Sequence, residues 1–107
     1  MRKFIAALCL LAATPFVHAG DSAGLVESHL AGVNGKLFFI AGPHNNAPAC
    51  AVHGWAVDLV GPNAAAGKAI LAVMLAAKYA GKTVRVTGTG ACDVWGDRET
   101  VLHIVVF

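Results

Sequence analysis

Alternating hydrophobic and polar positions predict a β-hairpin near the start of the chain. Residues 25–31 alternate in this way, and residues 36–41 form an almost wholly apolar run. Asn34 and Gly35 lie between the two runs, and this dipeptide is the strongest short-range signal for a tight hairpin turn. The pattern therefore predicts two antiparallel strands joined at Asn34-Gly35.

The segments on either side of this hairpin differ from it in composition. Residues 42–49 are rich in glycine, proline and asparagine, which predicts a loop. Residues 51–59 are the third predicted strand, with a bend or bulge at Gly54. Residues 20–23 are short and polar, and we expect them to be mobile.

A single helix is predicted over residues 64–80, which are rich in alanine, leucine, methionine and lysine. Asn63 occupies the expected N-cap position, and Gly81 stands where a helix-terminating glycine belongs. On a helical wheel the bulky side chains form one broad face, which we expect to pack on the sheet. That face comprises Ile70, Leu71, Val73, Met74 and Leu75.

The opposite face of this helix is a stripe of small side chains: Ala65, Ala69, Ala72, Ala76 and Ala80. Two interpretations stay open. Alanine is a good helix former that tolerates water, so the stripe can simply be exposed. Alternatively, small residues allow backbones to approach closely, so the stripe can contact a second copy of the chain.

Two further strands are predicted after the helix, at residues 83–87 and 99–107. Both faces of the last strand are largely apolar, so we expect it to be buried on both sides or to close a barrel. The element order is β-β-β-α-β-β, which is that of a five-stranded OB-like barrel with one helix. A small α+β sandwich has similar elements, and element order alone does not exclude it.

Residues 1–19 are predicted to be a cleavable signal peptide. Two basic residues precede an apolar run of about ten residues, and Val17-His18-Ala19 has small side chains at its first and third positions. The run is too short to span a bilayer. Cleavage after Ala19 would leave a single domain, residues 20–107, which we expect to be periplasmic or secreted, without membrane insertion.

This predicted mature chain contains six basic and six acidic residues, so it lacks the basic surface of a nucleic-acid-binding protein. It also contains only two cysteines, Cys50 and Cys92. In an exported protein an even number of cysteines indicates a disulfide, here worth roughly 4 kcal/mol in the chain-entropy model. Two isolated cysteines lack the paired spacing of a zinc site, and no cofactor motif is recognised.

The loop before the last predicted strand contains the best candidates for ligand binding. Trp95 offers a ring for stacking on a sugar, and three neighbouring side chains offer partners for hydroxyl groups: Asp93, Asp97 and Arg98. OB folds use this loop as part of their ligand-binding face. The alternative is a polar loop in which Trp95 covers the end of the barrel.

The sequence indicates metal binding and catalysis more weakly than it indicates ligand binding. The predicted mature chain contains four histidines, His29, His44, His53 and His103, none of them at a ligand-pair spacing. Solvated or core histidines are the more common outcome, so we predict no metal site. No nucleophile, base and orienting acid occur in a recognisable order, and we expect the domain not to be an enzyme.

The chain also resembles a family of small exported bacterial proteins related to the binding subunit of subtilase cytotoxin. The resemblance spans residues 55–92. Its motifs are the Trp-Ala-Val-Asp strand at 55–58, Gly67-Lys68, the helix end at 75–78, Gly-Lys-Thr-Val-Arg-Val at 81–86, and Cys92.

This resemblance implies an OB-type barrel, a homopentamer with its helices around a central pore, and glycan binding on the outer surface. No sugar-contacting residue can be carried over to this sequence. We therefore expect an exported, non-enzymatic binding module that self-associates and binds a glycan. The alternative is a monomeric periplasmic structural or interaction protein that shares only the fold.

Overall fold

The computed structural model describes residues 19–107 of the protein, so the predicted signal peptide, apart from Ala19, lies outside the described residues. The strands are β1 Asp21–Gly24, β2 Val26–Val33, β3 Lys36–Ala41, β4 Trp55–Asp58, β5 Val84–Gly88 and β6 Glu99–Val106. The helix, α1, spans Ala64–Ala80.

The strands form one sheet in the order β1-β5-β6-β4-β3-β2. Neighbouring strands are antiparallel, except that β4 and β6 are parallel. The helix packs on the sheet through Ile70 and Met74, and the core is centred on Trp55, Phe39 and Leu37, each no more than 1% exposed. The fold of residues 19–107 is therefore mainly β with one helix, as the sequence predicts.

The sheet is open, with β1 and β2 at its edges, and the prediction of a closed five-stranded barrel is not met. The described residues contain six strands because the segment predicted to be mobile forms β1. Its residues Asp21 to Gly24 pair with Thr87 to Val84 of β5, so their backbone groups are satisfied by the sheet. The expectation of mobility at residues 20–23 is therefore wrong.

A close contact between backbones accompanies the break between β1 and β2. A Cβ atom placed on Gly24 would lie 2.9 Å from the Cα atom of Gly42, which directly follows β3. Only glycine allows the end of β1 to approach the end of β3 this closely. The two edge strands are thus separated by the single residue Leu25 in the chain although they lie at opposite ends of the strand order.

The hairpin and helix predictions are confirmed. Asn34 and Gly35 both have positive φ, 51° and 72°, as a tight hairpin turn between β2 and β3 requires. Helix α1 ends at Gly81, which adopts the left-handed conformation with φ 67°. Asn63 lies at the N-cap, but its side chain makes no capping hydrogen bond.

The last strand is less buried than predicted. Glu99 and Val101 are buried, whereas Leu102 is 57% and Phe107 61% exposed. In the described structure β4 pairs with β6 only at Trp55–Glu99 and Ala56–Thr100. The remainder of β6 extends beyond β4 and pairs with β5 alone, so its other edge has no neighbouring strand in the described structure.

The predicted disulfide between Cys50 and Cys92 is present, with the two Cα atoms 6.3 Å apart. It links the loop before β4 to the loop between β5 and β6. Within residues 19–107, no helix combines the length and apolar character needed to span a membrane.

Candidate functional site

A cleft of about 280 Å³ lies between the start of α1, the end of β4 and the β5–β6 loop. Its polar lining comes from Asp58, Asn63, Thr89, Asp93 and Thr100. Its apolar lining includes Val57, Ile70, Val94, Val101 and Leu102. The cleft thus combines hydrogen-bonding groups with an apolar surface, as small-molecule sites do.

Gly67 fixes how closely the helix approaches this cleft. A Cβ atom on Gly67 would collide with the backbone oxygen of Asp58 and lie 3.2 Å from a methyl group of Val57. Glycine at this position therefore lets the first turns of α1 lie directly against the end of β4. Any larger residue would push the helix away and change the shape of the cleft.

Asp93 is the one predicted ligand-binding residue that lines the cleft. Its carboxylate accepts a hydrogen bond from the Thr100 hydroxyl group. The backbone of its loop is bound to β6, because Thr89 N–H donates to the Thr100 carbonyl and Thr100 N–H donates to the Ala91 carbonyl, both at 2.9 Å. The disulfide at Cys92 adds a covalent restraint directly before Asp93.

A second carboxylate, that of Asp58, enters the cleft from the end of β4. The Lys36 ammonium group donates to it at 3.0 Å, and the Val60 N–H donates at 3.1 Å. These hydrogen bonds hold the pKa of Asp58 below its ordinary value of 3.8, and the bond from Lys36 has the larger effect. Asp58 is therefore ionised at neutral pH and offers only hydrogen-bond acceptors to a ligand.

The other three predicted binding residues form a separate cluster around Phe38 of β3. The Trp95 ring packs edge-on against Phe38 with ring centroids 5.0 Å apart. The Arg98 guanidinium group lies 4.6 Å from the centroid of the same ring and donates to the His53 carbonyl at 2.9 Å. Asp97 lies 3.6 Å from His53 Nε2.

The structure therefore brings Trp95, Asp97 and Arg98 together but leaves Asp93 on a different surface. Trp95 is partly buried against Phe38, and the principal hydrogen bond of Arg98 is made within the protein. The four residues do not line one common cleft.

The structure also contains a buried polar network that the sequence pattern did not indicate. Glu99 is 0% exposed and its Oε1 atom lies 2.7 Å from His44 Nε2. His44 stacks on Trp55, whose indole N–H donates to the Ser22 hydroxyl oxygen at 2.9 Å. Because His44 and Glu99 are far apart in sequence, no local spacing could have signalled their contact.

The four histidines within residues 19–107 lie apart from one another. His44 pairs with Glu99, His53 lies beside Asp97, and His29 and His103 are exposed. Over residues 19–107, no group of three histidine, cysteine, aspartate or glutamate side chains is arranged to hold a metal ion.

Comparison with known proteins gives no relative. No protein-family model matches the chain, and searches of curated proteins and of solved structures found no significant match. The resemblance to toxin binding subunits thus stays a prediction.

Proposed function

We propose that this protein is an exported binding module whose cleft accommodates a small hydroxylated ligand such as one sugar residue of a glycan. The observation that carries the proposal is the joint presence of Asp58 and Asp93 at a cleft that also exposes side chains of Asn63, Thr89 and Thr100. Carboxylates accept hydrogen bonds from hydroxyl groups, and amide and hydroxyl side chains both donate and accept.

The volume and the charge of the cleft limit the class of ligand that it can bind. A volume of about 280 Å³ lies just below the usual range of drug-sized sites, which suits one sugar ring. Ile70 and Val101 provide apolar surface for the C–H groups of such a ring. Two carboxylates at the cleft repel anions, so the favoured ligands are neutral sugars or amino sugars rather than acidic or phosphorylated ones.

The pKa of Asp58 does not suit the acid step of glycoside hydrolysis. Glycoside hydrolysis requires a general acid, a carboxyl group whose pKa is raised. The hydrogen bond from Lys36 has the opposite effect on Asp58 and lowers its pKa. Asp58 is therefore suited to accept hydrogen bonds from a ligand rather than to supply a proton.

A glycan array followed by calorimetric titration of the best neutral sugar tests the proposal. We expect Asp93→Ala and Asn63→Ala each to weaken binding about tenfold or more, because each removes hydrogen-bonding groups from the cleft. Asp97→Ala is the matched control, since Asp97 lies in the Phe38 cluster and should leave the affinity unchanged.

Trp95→Ala distinguishes the two candidate surfaces. Loss of binding in Trp95→Ala, with Asp93→Ala unaffected and both variants folded, would place the site at the Phe38 cluster. Absence of binding to every neutral or amino sugar on the array would contradict the proposed ligand class.

We further propose that the strands have an OB-type arrangement in which the first long strand is divided at Leu25. Two observations support this: only Leu25 separates β1 from β2, and Gly24 lies close to Gly42. In such an arrangement β1 and β2 are two halves of one strand that reaches both ends of the sheet. The resemblance to toxin binding subunits implies an OB-type barrel.

We also propose that the protein self-associates through the exposed alanine stripe of α1. All five alanines are exposed, and Ala69 borders a groove that also includes Val73, Leu102 and Ile104. The stripe therefore continues into apolar side chains of β6, which a small domain rarely leaves uncovered.

Light scattering during size-exclusion chromatography gives the mass of the oxidised chain across concentrations. We expect an oligomer, and we expect Ala69→Glu to dissociate it. The same substitution at an exposed alanine on β2, Ala31→Glu, should have no effect. A monomer at every concentration would contradict self-association and favour the monomeric interaction protein as the alternative.

A further inference from the structure

The buried carboxylate of Glu99 contacts the residue at which the predicted mature chain begins. Its Oε2 atom accepts hydrogen bonds from the backbone nitrogens of Gly20, at 2.8 Å, and Gly90, at 2.9 Å. Its Oε1 atom lies 2.7 Å from His44 Nε2. Gly20 is also the first residue after the predicted cleavage site, so the new N-terminus would be generated at this carboxylate.

We propose that cleavage of the Ala19–Gly20 bond completes the folded core by creating an α-ammonium group that forms a buried ion pair with Glu99. In the hydrolysis, water supplies a hydroxyl group to the Ala19 carbonyl carbon and a hydrogen to the Gly20 nitrogen. The amine released then takes up one proton at neutral pH. The proposal rests on the predicted signal peptide and is independent of the proposed ligand.

The backbone holds the Gly20 nitrogen at this position by contacts that do not involve any preceding residue. The Gly20 carbonyl accepts the Gly88 N–H at 2.9 Å. Directly after it, Asp21 and Asn45 exchange backbone hydrogen bonds at 2.9 and 2.7 Å. Gly20 is buried whereas Ala19 is exposed, so the bond between them lies at the point where the chain leaves the core.

The space around Gly20 admits no side chain. A Cβ atom there would collide with Glu99 Oε1 and lie 2.8 Å from His44 Nε2 and 3.0 Å from the Asn45 oxygen. Glycine is thus the residue that brings an N-terminal nitrogen directly against the buried carboxylate.

The positive charge of the new N-terminus should affect the stability of the fold. An ionised carboxylate without an opposite charge is costly to bury, and the groups around Glu99 are two backbone N–H groups and the His44 ring. An uncleaved chain contributes only one neutral N–H from Gly20. The cleaved chain contributes an ammonium group, which places an opposite charge in direct contact with the buried carboxylate. Cleavage should therefore stabilise the domain.

Semisynthesis provides the decisive comparison. A synthetic peptide of residues 20–49 can be ligated at Cys50 to a recombinant chain of residues 50–107 and refolded with its disulfide. Three versions are compared: a free Gly20 amine, an acetylated Gly20, and a chain extended by Ala19. The acetyl group keeps the N–H and removes only the charge.

At neutral pH we expect the free-amine chain to have an unfolding equilibrium constant at least tenfold smaller than the acetylated and Ala19-extended chains. Raising the pH until the amine loses its proton should abolish this advantage over the acetylated chain, because all other titrating groups are shared. Equal stability of free and acetylated chains would overturn the proposal. If only the Ala19-extended chain is less stable than the free-amine chain, the cause is steric crowding by Ala19 and not the loss of charge.

Mass spectrometry of the protein exported from a bacterial host tests the cleavage position. The expected mature mass corresponds to residues 20–107 with one disulfide. Any other N-terminus would overturn the proposal, whatever the result of the glycan experiments.

Discussion

His44 Nε2 and Glu99 Oε1 lie 2.7 Å apart in the core, although 55 residues separate them in the chain. This contact joins the loop after β3 to the first residue of β6. Together with the bonds from Gly20 and Gly90 it satisfies a carboxylate that has no access to water. The polar core is thus assembled from four separate segments of the chain.

Removing this carboxylate should be strongly destabilising. Glu99→Ala leaves the buried N–H groups of Gly20 and Gly90 and the His44 ring without their acceptor, at a cost of about 3 kcal/mol or more in the free energy of unfolding. Urea denaturation measures the loss. Glu27→Ala, at an exposed position of β2, is the control and should change stability by less than about 0.5 kcal/mol. Similar midpoints for both variants would contradict the structural role of Glu99.

A methyl group at Gly88 should disrupt the same core. A Cβ atom there would collide with Glu99 Oε2 and lie 2.7 Å from Cζ3 of Trp55. We therefore expect Gly88→Ala to cost about 2 kcal/mol or more, as overpacking does. Gly96→Ala is the matched control, because a Cβ atom at Gly96 meets nothing within 4 Å. Thermal denaturation of both variants provides the test, and an unchanged midpoint for Gly88→Ala would refute the close packing described.

Breaking the disulfide should destabilise the domain without changing its fold class. Cys50 and Cys92 are 42 residues apart, and in the chain-entropy model a loop of this length contributes about 4 kcal/mol. The measurement is urea denaturation of the oxidised protein and of Cys50→Ser/Cys92→Ser, with circular dichroism to compare secondary structure. A loss below about 1 kcal/mol would show that the loop adds little restraint to the unfolded chain.

The Lys36–Asp58 pair should contribute stability only when Asp58 is ionised. Folding lowers the pKa of Asp58 below 3.8. The contribution to stability is therefore fully present above pH 3.8, and it is lost as the pH falls through the lower pKa that Asp58 has in the folded state. Lys36→Met should raise the pKa of Asp58 towards 3.8, as measured by carboxyl-carbon NMR. Lys82→Met, at an exposed position, is the control and should leave the titration of Asp58 unchanged.

The sequence by itself determined the features that depend on local signals. Helix α1 matches its predicted bounds because strong helix formers dominate residues 64–80, despite Gly67, and Gly81 ends the helix. The hairpin at Asn34-Gly35 follows from two residues that tolerate positive φ. The disulfide follows from there being only two cysteines after the predicted cleavage site.

The tertiary structure alone decided the features that depend on distant contacts. β1 is a strand because β5, more than 60 residues later, supplies its hydrogen-bond partners. Asp93 and Trp95 are only two residues apart in sequence, yet one lines the cleft and the other packs on Phe38. Glu99 is the first residue of the last predicted strand, and it is fully buried because the segments containing Gly20 and His44 fold over it. Such burial depends on which segments meet in space, and that is not encoded in the spacing of neighbouring residues.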